Sequence, residues 1–297
     1  MIEQFKLKPE EAKALKDLEG LIGENILLVE KIEWTTFGVK IEGDKVVGVG
    51  LYNQGLSTLP ESIGNLSSLK ILELWSNKLS TLPESIGNLS SLKDLRLGGN
   101  KLSTLPESIT KLTSLQKLNL QSNQLTTLPE SIGNLSSLKD LWLGGNKLST
   151  LPESITNFMS LKKLYLSDNQ FTTLPESIGN LTSLQTLNLW NNQLSTLPES
   201  IWKCKNLESL NLGDNPWEGE WRGIEKDTTP RVLELSRQRA HITVFITHSR
   251  KDEEQYLGNA LAQNLENRKE IREVRVSGGQ EISEIQLLLF NATKNSI

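Results

Sequence analysis

One 23-residue unit recurs seven times between Val46 and Asn206, with no residue gained or lost. The second copy, Leu69 to Ser91, reads LKILELWSNKLSTLPESIGNLSS. Asn77, Asn100, Asn123, Asn146, Asn169, Asn192 and Asn215 hold one position of the unit, and only the first copy departs, with Gln54. Pro60, Pro83, Pro106, Pro129, Pro152, Pro175 and Pro198 hold another. A chain written this way has few options. One unit is too short to bury its apolar side alone, so successive units must stack and share a continuous core. Chain length then sets the length of a coil rather than the radius of a globule.

Within the unit, L-x-L has the period of a strand, with residues such as Leu72 and Leu74 inward and the residues between them outward. The asparagine is expected to satisfy backbone groups left unpaired at the turn, in a ladder up the stack. The segment LPESIGNL then returns along the outside as a short helical turn. Its proline is expected at the first helical position, where no backbone donor is needed, and the following glutamate suits the same end through the helix dipole. Each buried leucine or isoleucine contributes roughly 1.5–3 kcal/mol, so the stack has ample core. The spacing L-x-x-L-x-L-x-x-N-x-L with a fixed period is the leucine-rich-repeat signature. The fold class expected is α/β: a leucine-rich-repeat solenoid, or horseshoe, whose parallel sheet forms the concave face.

Around this array the 297 residues divide into four parts. Residues 1–45 read as an N-terminal cap. Leu15, Leu18, Leu21 and Ile22 have helical spacing, Gly20 and Gly23 weaken the helix end, and residues 37–51 alternate around a Gly-Asp turn as a hairpin. The second hairpin strand becomes the first repeat strand, with Val49 and Leu51 in the leucine slots. Residues 46–217 hold the seven repeats and a closing strand that ends at Trp217. Residues 218–240 read as a C-terminal cap and linker, with a helix opened by Pro230. Residues 241–297 read as a partial α/β segment: strand ITVFITHS, a helix with Leu257, Leu261 and Leu265 on one stripe, strand REVRVS and strand QLLLFNAT.

Composition narrows the function classes. The net charge is −4 and charges of both signs are interspersed, which argues against a nucleic-acid partner. No apolar run reaches the length of a membrane span, and the charged N-terminus lacks a signal-peptide core. One cysteine, Cys204, and two histidines, His241 and His248, exclude a structural zinc site in practice. Cys204 stands where other repeats have Leu or Phe and is expected to be a buried filler. Extracellular arrays of this kind are usually closed by disulfides, so a cytoplasmic location is expected. The four N-x-S/T triplets at Asn65, Asn88, Asn134 and Asn180 are by-products of the repeat wording and are expected to be idle. No phosphate loop, nucleotide fingerprint or nucleophile elbow is present. No catalytic residue, cofactor or metal ligand is assigned.

Comparing the repeats with one another shows where the chain varies. The outer wording barely changes, whereas the outward strand positions change freely. The first reads Gly50, Glu73, Arg96, Asn119, Trp142, Tyr165, Asn188, Asn211; the second reads Tyr52, Trp75, Gly98, Gln121, Gly144, Ser167, Trp190, Gly213. Residues 90–110 and 136–156 match at every position except Arg96 against Trp142. Trp, Tyr and Arg are favoured interface anchors, and an open sheet suits a protein or peptide better than a small molecule. The candidate partner-binding residues of the concave face are Tyr52, Glu73, Trp75, Arg96, Asn119, Gln121, Trp142, Tyr165, Asn188 and Trp190.

On the words LPESIGNL and LxxLxLxxNxL, residues 46–217 resemble the repeats of intracellular scaffold proteins of the Ras-suppressor type and their plant intracellular Ras-group relatives. That resemblance implies a recognition scaffold. ITVFITHSRKD, the amphipathic helix after it and QLLLFNATKNS are similar to the start of a Toll/interleukin-1-receptor (TIR) domain. This second resemblance implies signalling contacts with other TIR domains, or a vestigial segment. It also implies an alternative, an NAD-cleaving enzyme with the repeats as sensor. The family's catalytic glutamate lies on the helix after the third strand, and no position of this chain corresponds to it; Glu281 and Glu284 precede the strand.

Overall fold

The structure, a computed structural model, describes residues 6–248. The chain divides into two units, Met1–Ser236 and Arg237–Ile297. The first is a single nine-stranded sheet in strict chain order with a column of 3-10 turns on its other side. β1 (Phe37–Glu42) and β2 (Lys45–Leu51) form an antiparallel hairpin. β2 then opens a parallel run, pairing Val49 with Leu72. The run continues through β3 (Ile71–Glu73), β4 (Asp94–Arg96), β5 (Lys117–Asn119), β6 (Asp140–Trp142), β7 (Lys163–Tyr165), β8 (Thr186–Asn188) and β9 (Ser209–Asn211). Each strand pairs with its equivalent 23 residues on, as Leu95 does with Leu118.

The core lies between sheet and turns. Leu72, Leu74, Leu79, Ile86, Leu89 and Leu92 of one coil are all fully buried, their counterparts in the coils of β4 to β8 are buried too, and Leu210 in β9 is only partly buried. The asparagine ladder forms as the spacing predicts. Asn100 accepts the Leu79 N–H on Oδ1 at 3.0 Å and donates Nδ2 to the carbonyls of Leu74 and Leu97 at 3.0 and 2.9 Å. One side chain thus satisfies backbone groups of two successive coils, which would otherwise be buried and unpaired.

The returning segments are 3-10 turns such as Glu84–Asn88. Here the prolines differ from expectation by one position. Pro83 is extended, with φ −69° and ψ 150°, and precedes the turn. Its carbonyl accepts the Ile86 N–H at 3.0 Å. A 3-10 turn closes through i to i+3 bonds, so the proline contributes its acceptor, and its missing donor falls outside the turn.

At the N-terminal end, α1 (Pro9–Ile22) ends at Gly23 in the left-handed conformation, with the Gly23 N–H on the Glu19 carbonyl. Leu15 and Leu18 join the core. Buried Glu11 accepts the Val46 N–H at 3.0 Å, and Asp17 accepts the Ser62 hydroxyl at 2.5 Å. At the other end Trp217, Trp221, Ile224 and Val232 are buried.

α2 runs Thr229–His248. It corrects the strand expected over ITVFITHS: residues 242–248 continue the helix begun at Thr229. An apolar run of this length does not by itself distinguish strand from helix. A strand needs a paired neighbour, whereas a helix satisfies its backbone within itself. The remaining elements expected from 249 to 297 lie outside the described residues.

Candidate functional site

The face of the sheet turned away from the core carries all ten candidate residues, and the structure sorts them into two groups. In the first, the expectation of freely projecting side chains is corrected: Glu73, Arg96 and Asn119 are buried, with exposures of 0, 8 and 3%. Their cover comes partly from a segment not singled out in the sequence. Residues 27–29 pair with β1, and the chain then crosses the face of β2 to reach Phe37. The crossing is close. A β-carbon at Gly48 would lie 2.6 Å from Ile32 Cγ1, and one at Gly50 would lie 2.7 Å from the Thr36 carbonyl. Only glycine leaves room for the Ile32 side chain at one position and for the Thr36 backbone at the other. The alternating glycines of VGVGL were the available sequence signal.

This crossing segment delivers Trp34. Its ring meets Trp75 edge-on at 5.9 Å and covers the Arg96 guanidinium at 4.3 Å. Below, Arg96 is forked onto Asp94, with Nη2 at 2.7 Å from Oδ2, and reaches Glu73 Oε2 at 3.4 Å. Glu73 also accepts the Trp75 N–H at 2.6 Å. Burial pushes the Glu73 carboxyl up to about 7, against the pull of the Trp75 N–H and the Arg96 charge. Trp75 lies over the next coil, so close that a β-carbon at Gly98 would be 2.2 Å from its ring. Tyr52, Trp75, Glu73 and Arg96 thus form one end of the face, with Trp34 across it.

The second group is open. Trp142 and Tyr165, paired across β6 and β7, stack with ring centroids 5.9 Å apart and planes within 2°. Beyond them Gly144 bears no covering ring. A β-carbon there would meet the Ser167 hydroxyl at 3.0 Å and the Gln121 amide at 3.5 Å. Gln121, Trp142, Tyr165 and Asn188 are half-buried, and Trp190 is exposed at 38%. Asn119 is held flat by its bonds to the Gln121 backbone and amide, and Asn188 caps the Trp190 N–H at 3.0 Å. Trp190 leans over Gly213 as Trp75 does over Gly98. The chemistry offered is that of a contact surface: two stacked rings, a third ring 48 residues further on, and amides between.

Among the described residues no group of three His, Cys, Asp or Glu could hold a metal ion, and no helix is long and apolar enough to cross a membrane. Cys204 is fully buried, and burial pushes its thiol up to about 11.

Comparisons with known proteins agree with the repeat architecture. A family model described as a leucine-rich repeat region matches residues 49–124 and 153–292, and a second, leucine rich repeat, matches 113–171. No curated protein matches. Among solved structures, the Leptospira interrogans LRR protein LIC12759 is 40% identical over 60% of this chain and 45% of its own, with a TM-score of 0.57. A structure described as PEPR1-AtPEP1 is 33% identical over 68% of this chain and 31% of its own, with a TM-score of 0.57. A plant ice-binding protein is 25% identical over 71% and 72%, with a TM-score of 0.60. The chain therefore spans less than half the length of the first two. With the 23-residue unit, the parallel ladder and a family match over most of its length, the chain belongs to the leucine-rich-repeat family.

Proposed function

We propose that this protein is a recognition scaffold in intracellular signalling, holding a protein or peptide partner on the open face of the sheet between β5 and β8. The observation that carries the proposal is the Trp142–Tyr165 stack with exposed Trp190 beside it. Aromatic side chains present large rigid contact area and are enriched at interfaces. Trp75 belongs with Trp34 at the other end of the face and contributes less to the contact.

The leucine-rich-repeat fold is typically a non-enzymatic binding scaffold, and this reading assigns no catalytic residue. The N-terminal helix and hairpin serve as the end cap of the stack, since terminal units need a polar outer side to stay soluble. A cytoplasmic location fits the single, buried thiol. Contacts of the tail with TIR domains rest on its sequence words alone, because α2 replaces the opening strand of that domain.

The test is affinity capture from native lysate with the intact chain and with a variant carrying Trp142→Ala, Tyr165→Ala and Trp190→Ala. Circular dichroism first establishes that both are folded. A partner retained by the intact chain and lost from the variant supports the reading; equal retention places the contact elsewhere.

A further inference from the structure

The edge of the sheet where the strands begin has a charge the whole chain does not share. In the coils that hold β4 to β7 it carries Lys93, Lys117, Lys139, Lys162 and Lys163, all exposed. None of the five makes an ion pair among the described residues. Two carboxylates share this edge. Asp94 is spent on Arg96 at 2.7 Å, which leaves half-buried Asp140 against five lysines. The backbone bonds of Gln116 to Lys93, Lys139 to Gln116 and Lys162 to Lys139 place one row in register, and the pairing of Lys117, Asp140 and Lys163 places the other. The balancing acidic groups stand across the core, where exposed Glu84, Glu107, Glu130, Glu153 and Glu176 follow the prolines of the returning turns. A net charge of −4 therefore hides a local positive strip. At physiological salt the screening length is about 8 Å, so a ligand on the face feels the strip more than the distant glutamates.

We infer that the open face takes an acidic peptide in extended conformation, its carboxylates along the lysine edge and an aromatic or aliphatic side chain against Trp142 and Tyr165. This deepens the recognition reading above and rests on it. The dimensions suit a short segment. β4 to β7 are three strand spacings apart, about 14 Å, which is the reach of four to five extended residues. Opposite charge on a face with apolar anchors is the usual complement of steering and grip.

The experiment is selection of a random 12-residue displayed peptide library on the immobilised full chain, followed by affinity measurement of the selected sequences. The expected result is enrichment of Asp and Glu next to an aromatic or aliphatic residue. Binding should weaken at least about tenfold with Lys117→Glu and Lys163→Glu together, weaken further with salt, and be lost with Trp142→Ala. All these side chains are exposed or half-buried, and circular dichroism checks the fold of each variant. Selected peptides that are neutral or basic, yet depend on Trp142, overturn the acidic ligand and leave the recognition face standing. Peptides indifferent to Trp142 and to both lysines overturn both readings. An oligonucleotide of equal charge that displaces the peptide shows generic polyanion binding and overturns the proposal, as does a selection that enriches nothing.

Discussion

Residues 90–110 and 136–156 differ at one position, Arg96 against Trp142, yet they present different surfaces. In the first window Arg96 is buried under Trp34, and Gly98 lies beneath the Trp75 ring. In the second, Trp142 stands half-buried against Tyr165, and Gly144 has a serine and a glutamine amide beside it instead of a ring. Neither difference is written inside the windows. It comes from the coil before each, where Trp75 stands at the position taken by Gln121, and from the crossing segment that brings in Trp34. A repeat's surface belongs to its neighbours as much as to itself, because strands stand only about 4.8 Å apart and a tryptophan covers more than one of them.

The contrast can be broken most forcefully at Arg96. Arg96→Ala leaves buried Glu73 and half-buried Asp94 without their cation, and should cost about 3–5 kcal/mol in urea unfolding. The same change at Trp142 should cost under about 1 kcal/mol, as a side chain packed on one ring and solvent. Equal costs would mean that the two windows are energetically alike.

Glu73 gives the closed end a pH dependence. Its folded value of about 7 is raised above the ordinary 4.5 by burial. The folded state therefore holds the proton more tightly, so this contribution is complete below about pH 4.5 and is lost as pH rises through about 7. The loss amounts to about 3 kcal/mol. Glu73→Gln keeps an acceptor for the Trp75 N–H and leaves Arg96 to Asp94. The difference in unfolding free energy between parent and variant should then change with pH across that window, and a pH-independent difference would show that the carboxyl is ionised throughout.

A finer probe uses the paired glycines. Gly98→Ala must displace the Trp75 ring and should cost about 1–3 kcal/mol. Gly144→Ala meets a rotatable serine hydroxyl and a flexible amide, with the Ser167 carbonyl at ordinary contact distance, and should cost under about 1 kcal/mol. Similar midpoints for the two variants would contradict the placement of Trp75. The cover itself can be probed at Trp34. Trp34→Ala removes one cation–π contact and one edge-on ring contact, each worth about 0.5–1.5 kcal/mol. It should also raise the exposure of Trp75, readable as a red shift in tryptophan emission.

Much of this was legible in the sequence, and for a clear reason. A period that never slips fixes strand order and register together, because each coil can only pair with the next. The leucines, the asparagine ladder and the hairpin that starts the sheet followed from spacing alone. Trp34 escaped notice because it lies outside the repeat, in a segment with no periodicity of its own. Glu73 and Arg96 looked like exposed variable positions because strand alternation says which face a side chain takes, not what lies over it. The run at 242–248 misled because β-branched residues suit a strand only when a neighbour is present to pair with.

The sequence by itself determined the solenoid, its length in coils, the buried positions and the face on which variation is concentrated, since these depend on contacts between equivalent residues at a fixed separation. Only the tertiary structure decided which part of that face is free. That depended on a non-repeating segment crossing over Gly48 and Gly50, and on where large rings lean across a 4.8 Å spacing. Both are contacts between unlike parts of the chain, and no period records them.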